Sequence, residues 1–303
     1  MLNKLKVKWV KWVDWVGLNK AEIYKVLKKY DFHELDIEAC MEENQRARID
    51  SYDDYIFMVL HFPKYDKEKK VYKLNEFNIF LWKNFLITFR EFEGKNIDKI
   101  FYDYKNLNLE DDSDFKITSG YILYEIIQSM LEKMFKFIDN NHKDIKQVEK
   151  QVFERANNNL VKEIMIKKRN IVVMKHMLLP QISVMKTIEI KMNEMFKWEM
   201  EEYFEDLEDK ISKVVNDIKI LEEYLESIED AFKTIIDIKT NHIMSFLAIF
   251  SAFFLPLTLI TSFYGMNIKL PFEKQPDIVY LMLILNVIIM VLAYYYFKKK
   301  FKL

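Results

Sequence analysis

Residues 243–263, IMSFLAIFSAFFLPLTLITSF, contain no charged side chain. About 21 residues at 1.5 Å rise match a hydrocarbon core about 30 Å thick, so this stretch crosses a bilayer as one helix. A second uncharged run follows at residues 278–297, IVYLMLILNVIIMVLAYYYF, and ends on Tyr294, Tyr295 and Tyr296, aromatics that favour the membrane interface. Beyond it stands Lys298-Lys299-Lys300-Phe301-Lys302, whereas the segment between the runs sets Lys269 and Lys274 against Glu273 and Asp277. That asymmetry puts the C-terminus in the cytoplasm. With two spans the N-terminus is there as well, and the expected location is the cytoplasmic (inner) membrane.

The rest of the composition agrees with a cytosolic domain carried on a membrane anchor. Lys+Arg at 46 and Asp+Glu at 47 nearly cancel, which gives no reason to expect a nucleic-acid partner. Four Gly and five Pro in 303 residues argue for long regular elements and against a Gly-rich nucleotide fold. The single Cys40 has no disulfide partner and no metal-ligand spacing, so it is expected to be a small buried residue. The N-terminal MLNKLKVKWVKWVDWVG is too interrupted by basic residues for a signal peptide, and its alternation at Val7, Trp9, Val13 and Trp15 predicts a half-buried strand.

Upstream of the first run, Phe204, Leu207, Ile211, Val214, Ile218, Leu221, Leu225, Ile228, Phe232 and Ile235 recur three and four apart. This heptad seam predicts a coiled-coil helix, uninterrupted by Gly or Pro from Glu199 to Leu255 and so continuous with the first span. Oligomerisation through this stalk is expected, and Val215, Ile220, Tyr224 and Ile236 widen its buried face. Before it, Leu123 to Val152 form one amphipathic helix, Asn157-Asn158-Asn159 a turn, and Leu160 to Leu178 a second arm that Pro180 kinks or restarts before Ile182 to Trp198. Residues 1–110 mix β-type runs at Tyr55 to Phe62, Phe77 to Trp82 and Phe85 to Phe89 with helical patches at Ala21 to Lys29 and Glu34 to Glu42.

The expected whole is an α+β membrane protein. It divides into a cytoplasmic α/β domain at 1–112, a helical hairpin region at 113–198 and a stalk helix at 199–242. The membrane part comprises the spans 243–263 and 278–297, an external loop 264–277 between them and a basic tail 298–303. The acidic run Glu110 to Asp114 marks the boundary between the α/β and helical parts.

Polar residues in the first span carry the functional signal. At 100° per residue, Asn241, Met244, Ser251, Leu255, Thr258 and Ser262 fall within an arc of about 100°, with Leu247 at its edge. Hydroxyls in a membrane helix also bond to their own backbone or let helices pack closely. Rings of amide and hydroxyl oxygens around a symmetry axis would suit a hydrated hard cation, because Mg²⁺ sheds water reluctantly. Met244, Leu247 and Leu255 would form a hydrophobic neck that closes by dewetting.

The first span ends in Tyr264-Gly265-Met266-Asn267, and this Gly-Met-Asn after the first of two C-terminal spans resembles the signature of CorA-type Mg²⁺ channels. The likeness extends to Lys239-Thr240-Asn241-His242-Ile243-Met244, to Phe254-Leu255-Pro256-Leu257-Thr258 and to Lys168-Arg169 followed by Pro180, covering roughly residues 115 to 300. The resemblance implies a homopentamer in the lipid bilayer whose first spans line a pore. Asn267 would select hydrated Mg²⁺ at the outer mouth, with Gly265 and Met266 shaping the loop, and Asn241, Met244, Leu247, Leu255 and Thr258 forming inner rings. It also implies regulation by cytosolic Mg²⁺ held by carboxylates between protomers, for which Asp206 and Asp230 are the candidates on the stalk. Mg²⁺ would thus be both transported and regulatory, with no organic cofactor. One departure stands out: Ile268-Lys269-Leu270-Pro271 follows the motif where many members carry an acidic residue.

No enzyme is expected. His33, His61, His142, His176 and His242 are scattered, and there is no paired-His helix motif, Cys-X-X-Cys or phosphate loop. Two alternatives to an Mg²⁺ channel stay open: a Zn²⁺, Co²⁺ or Ni²⁺ transporter of the same superfamily, and a membrane-anchored coiled-coil interaction protein.

Overall fold

The computed structural model describes residues 2–42, 45–66, 68–91, 94–106, 117–155, 158–197, 200–267, 271 and 276–301. The acidic run Glu110 to Asp114, Asn157, Trp198, Ile268, Lys269, Leu270, Glu273, Lys274 and Lys302 lie outside the described residues. The chain forms two compact units, Met1–Ala231 and Phe232–Leu303.

The N-terminal segment is a hairpin rather than the single strand its alternation predicts. β1 (Leu2–Val7) and β2 (Val10–Val16) pair antiparallel through a two-residue loop, Lys8-Trp9, in which Lys8 takes φ 49°. The loop puts Trp9 in solvent, 83% exposed, and shifts the buried register to Val10, Trp12 and Val13. After α1 (Lys20–Leu27) and α2 (Glu34–Met41) come β3 (Arg48–Ser51), β4 (Ile56–Asp66), β5 (Val71–Trp82) and β6 (Phe85–Arg90). They build one six-stranded sheet in the order β1-β2-β6-β5-β4-β3, antiparallel except for the β2–β6 pair.

β4 is buried at every position from Ile56 to Phe62, as befits a strand covered on both faces. On one face lies an apolar cluster of Leu27, Phe32, Ile37, Phe57, Phe80 and Ile87. α3 (Lys95–Lys105) and the long helices α4 (Ser119–Arg155), α5 (Asn158–Leu178) and α6 (Gln181–Phe196) also belong to this unit. Pro180, which lacks an N–H, ends the α5 run and stands as the N-cap of α6. The restart places Gln181 against β4. β3 covers β4 only as far as Val59, and the Gln181 side chain then pairs with His61, accepting from its N–H at 3.0 Å and donating to its carbonyl at 2.7 Å.

α7 (Glu201–Tyr264) is one helix of 64 residues. Its seam from Phe204 to Ile228 is buried inside the single chain. Tyr224 Oη donates to Glu149 of α4, and Lys175 and Lys168 of α5 pair with Glu222 and Glu229. Within the chain the heptad pattern is met by a helical bundle with α4 and α5. Ile220, expected to widen the buried face, is 53% exposed.

Gly120, near the start of α4, touches α6: a Cβ there would come within 2.9 Å of the buried Phe196 ring. Gly120→Ala gains about 1 kcal/mol of helix propensity, against about 1–3 kcal/mol for overpacking. A net loss in thermal stability is expected, and Phe196→Leu in the same chain should recover it.

Candidate functional site

In the second unit the apolar part of α7 stands beside α8 (Pro276–Phe301). The α7 window has a mean hydropathy of 2.3 and none of it is buried, as expected of a surface meant for lipid or for other copies. The α5–α6 stretch Asn159–Phe196 is also long and apolar, but 44% of its most apolar part is buried and it serves the core of the first unit. Tyr264 Oη lies 4.0 Å from Met282 Sδ, and the Phe253 and Tyr294 rings are 6.5 Å apart, so α8 runs antiparallel to α7.

Which face of α7 meets α8 follows from burial. Among residues 241–264 the half-buried ones are Ile249, Phe253, Pro256, Leu257, Ile260 and Tyr264. Counted from Asn241 at 100° per residue they span about 60° to 160°. Asn241, Met244, Leu247, Ser251, Leu255, Thr258 and Ser262 are all exposed and span about 0° to −120° on the same wheel. The polar stripe thus occupies the face turned away from α8.

The Thr258 hydroxyl donates to the Phe254 carbonyl at 2.8 Å. This is the back-bonding of a hydroxyl in a membrane helix, and it leaves the oxygen's lone pairs as acceptors. Beyond Tyr264 the helix unwinds: the Gly265 N–H reaches Thr261 at 2.9 Å and the Met266 N–H reaches Phe263 at 3.3 Å. A Cβ on Gly265 would lie 3.1 Å from the Thr261 carbonyl, so glycine permits this close approach. Met266 and Asn267 are exposed.

The stalk carboxylates are placed differently. Asp206 accepts from Tyr124 Oη at 3.2 Å and from Lys210 Nζ at 2.5 Å. Asp230 is exposed, nearly seven helical turns further along α7 at about 3.6 residues per turn. Among the described residues no group of three His, Cys, Asp or Glu is gathered, so the two do not make a cation site within one chain. Asn286 lies in the second uncharged run, where the pattern of charge alone gives it no mark. It sits on α8 between Met282 and Met290 at four-residue spacing, and its buried amide oxygen has no hydrogen-bond partner among the described residues. An amide inside a span is a signal that a search for polar as well as charged residues would find.

Two adjacent apolar helices, one with a polar face left uncovered, carried on an α/β and helical-bundle unit, define a two-span membrane transport protein. The profile of the family described as CorA-like Mg²⁺ transporter protein matches residues 8–299. The chain belongs to that family. A Thermotoga maritima protein, the cobalt/magnesium transport protein CorA, is 24% identical over 291 residues, covering 94% of this chain and 81% of its own. The complete structure of the CorA magnesium transporter from Methanocaldococcus jannaschii has a TM-score of 0.80 at 21% identity, covering 98% of this chain and 93% of that one. The ZntB cytoplasmic domain from Vibrio parahaemolyticus has a TM-score of 0.61 at 12% identity, over 76% and 89% of the two chains. These structures share the fold. As a member of this family the chain is a membrane transporter of divalent cations and not an enzyme.

Proposed function

We propose that the chain is a passive channel for hydrated Mg²⁺, assembled as a homopentamer in the cytoplasmic membrane with both termini inside. What supports the reading is the direction of the polar stripe. α8 covers the opposite face of α7, which leaves Asn241, Ser251, Thr258 and Ser262 free to surround an axis built from several copies. A hydroxyl that spends its proton on its own helix, as Thr258 does, presents acceptor lone pairs, and the protons of a hydrated cation's water shell need acceptors. Met244, Leu247 and Leu255 lie on the same exposed face and form the closing neck. Asn267, with Gly265 and Met266 shaping its approach, is the selecting group at the outer mouth. Inward movement is driven by the membrane potential, worth about 4.6 kcal/mol per 100 mV for a divalent cation. In this proposal Asp206 and Asp230 bind regulatory Mg²⁺ only where a second copy adds carboxylates to theirs.

Reconstituted liposomes test the assignment. With a Mg²⁺ dye and a Zn²⁺ dye in parallel, Mg²⁺ influx that grows with an inside-negative potential is expected. Flux of Zn²⁺ alone would move the assignment to another divalent cation. An assembled protein that passes neither ion would be an anchored interaction protein.

A further inference from the structure

A second polar centre lies in the first unit, where a cavity of about 110 Å³ opens between the sheet and the α3 and α4 helices. Arg90, Gly94, Asn75 and Lys133 line it together with apolar side chains such as Phe77 and Ile97. Arg90 is 95% buried, its relative exposure being 5%. Its Nε and Nη2 donate to Asp14, and Nη2 also reaches Asp98 at 2.5 Å. The remaining nitrogen, Nη1, is buried and has no acceptor among the described residues. Nη1 faces this cavity, because a Cβ placed on Gly94 would come within 3.2 Å of it.

Two further features point the same way. The Lys133 ammonium is half-buried, and among the described residues burial and the charges of Arg90 and Asp98 act on it, with no hydrogen bond or ion pair. Burial first, and then the Arg90 charge, lower its pKa, and Asp98 acts against them. Gly94, which lines the opening, is the N-cap of the 11-residue α3 and supplies no side-chain cap to the first N–H groups of that helix. An unmatched guanidinium N–H, an unpaired ammonium and an uncapped helix N-terminus all call for negative charge.

We infer that this cavity binds a small oxyanion of phosphate or sulfate size. At about 30 Å³ per water the volume holds three or four waters, whereas pockets for nucleotide-sized ligands begin at about 300 Å³. Asp14 and Asp98 occupy the other edges of Arg90, so the anion takes Nη1 and Lys133 and does not compete with the buried ion pair.

The test uses the full-length protein in detergent and Mg²⁺-free buffer, with inorganic phosphate or sulfate replacing chloride at constant ionic strength. A saturable rise in melting temperature beyond that in chloride is expected for the unaltered chain. Lys133→Met should weaken the apparent phosphate affinity at least tenfold while Lys133→Arg retains it. Gly94→Ala, whose backbone is extended and tolerates a Cβ, should also weaken binding by crowding Nη1. If Lys133→Met does not fold, Gly94→Ala decides. Equal behaviour of phosphate and chloride, or undiminished phosphate binding in Gly94→Ala, would overturn the inference. None of these outcomes depends on whether the membrane part conducts Mg²⁺.

Discussion

Asn267→Ala should reduce Mg²⁺ flux into liposomes to the background of empty vesicles while the oligomer stays intact by size-exclusion chromatography. The residue is exposed, lies just past the end of α7 and supports no part of the core, so its truncation takes nothing from the fold. Its effect would fall on the ion alone. A hydrogen bond to a charged partner contributes about 1.5–3 kcal/mol, and about 1.4 kcal/mol is tenfold in rate. Loss of one amide would therefore slow entry roughly 10- to 100-fold, and symmetry repeats the loss in every copy. Gly265→Ala is the companion variant: its Cβ meets the Thr261 carbonyl at 3.1 Å, so the loop must shift and drag Asn267 with it. Wild-type flux through Asn267→Ala would remove the selecting role from this residue and weaken the proposed channel.

The membrane segments were legible because an uncharged run of about 20 residues leaves few structural options. The stripe on α7 was legible too, since a helical wheel needs only residue spacing. What the wheel could not supply was the partner. A face is uncovered only relative to a neighbour, and it was the contacts Tyr264–Met282 and Phe253–Tyr294 that located α8 on the other side.

The heptad seam shows the complementary limit. A three-four apolar spacing reports that a helix packs against other helices and is silent on whether those belong to the same chain. Here Lys168, Lys175 and Glu149 of α4 and α5 supply the partners, which no spacing within 201–235 encodes. The N-terminal hairpin was missed for a related reason. A two-residue loop without Gly or Asn leaves little local mark, and the parallel pairing of Trp12 with Leu86 spans more than seventy positions. The membrane half of the protein was read from short-range pattern, and the α/β half depended on pairings that only the folded chain displays.

The buried cluster around Asp14 belongs to that second category, and it carries the largest stability effect expected in the chain. Asp14, with no solvent exposure, accepts from Arg90 Nε at 3.1 Å, from Arg90 Nη2 at 2.7 Å and from Thr88 Oγ1 at 2.8 Å, while Trp12 Nε1 donates to that same Thr88 oxygen at 3.1 Å. Burial disfavours the Arg90 charge, yet hydrogen bonds and attraction from Asp14 and then Asp98 outweigh it and raise the pKa, so the guanidinium stays charged. Asp14→Ala strands that charge. Removing one partner of a buried pair costs about 3–5 kcal/mol, a large part of the roughly 5–15 kcal/mol that holds a domain folded. Asp98 also contacts Nη2 but is 45% exposed, and solvent screens it, so Asp98→Ala should cost no more than about 1 kcal/mol. Asp14→Asn keeps the shape and one acceptor oxygen and should fall between the two. Thermal melting of the three variants in detergent reads the order directly. Equal melting temperatures for Asp14→Ala and Asp98→Ala would mean that Arg90 finds solvent when its buried partner is gone, and that the β2–β6 pairing is held by its apolar contacts alone.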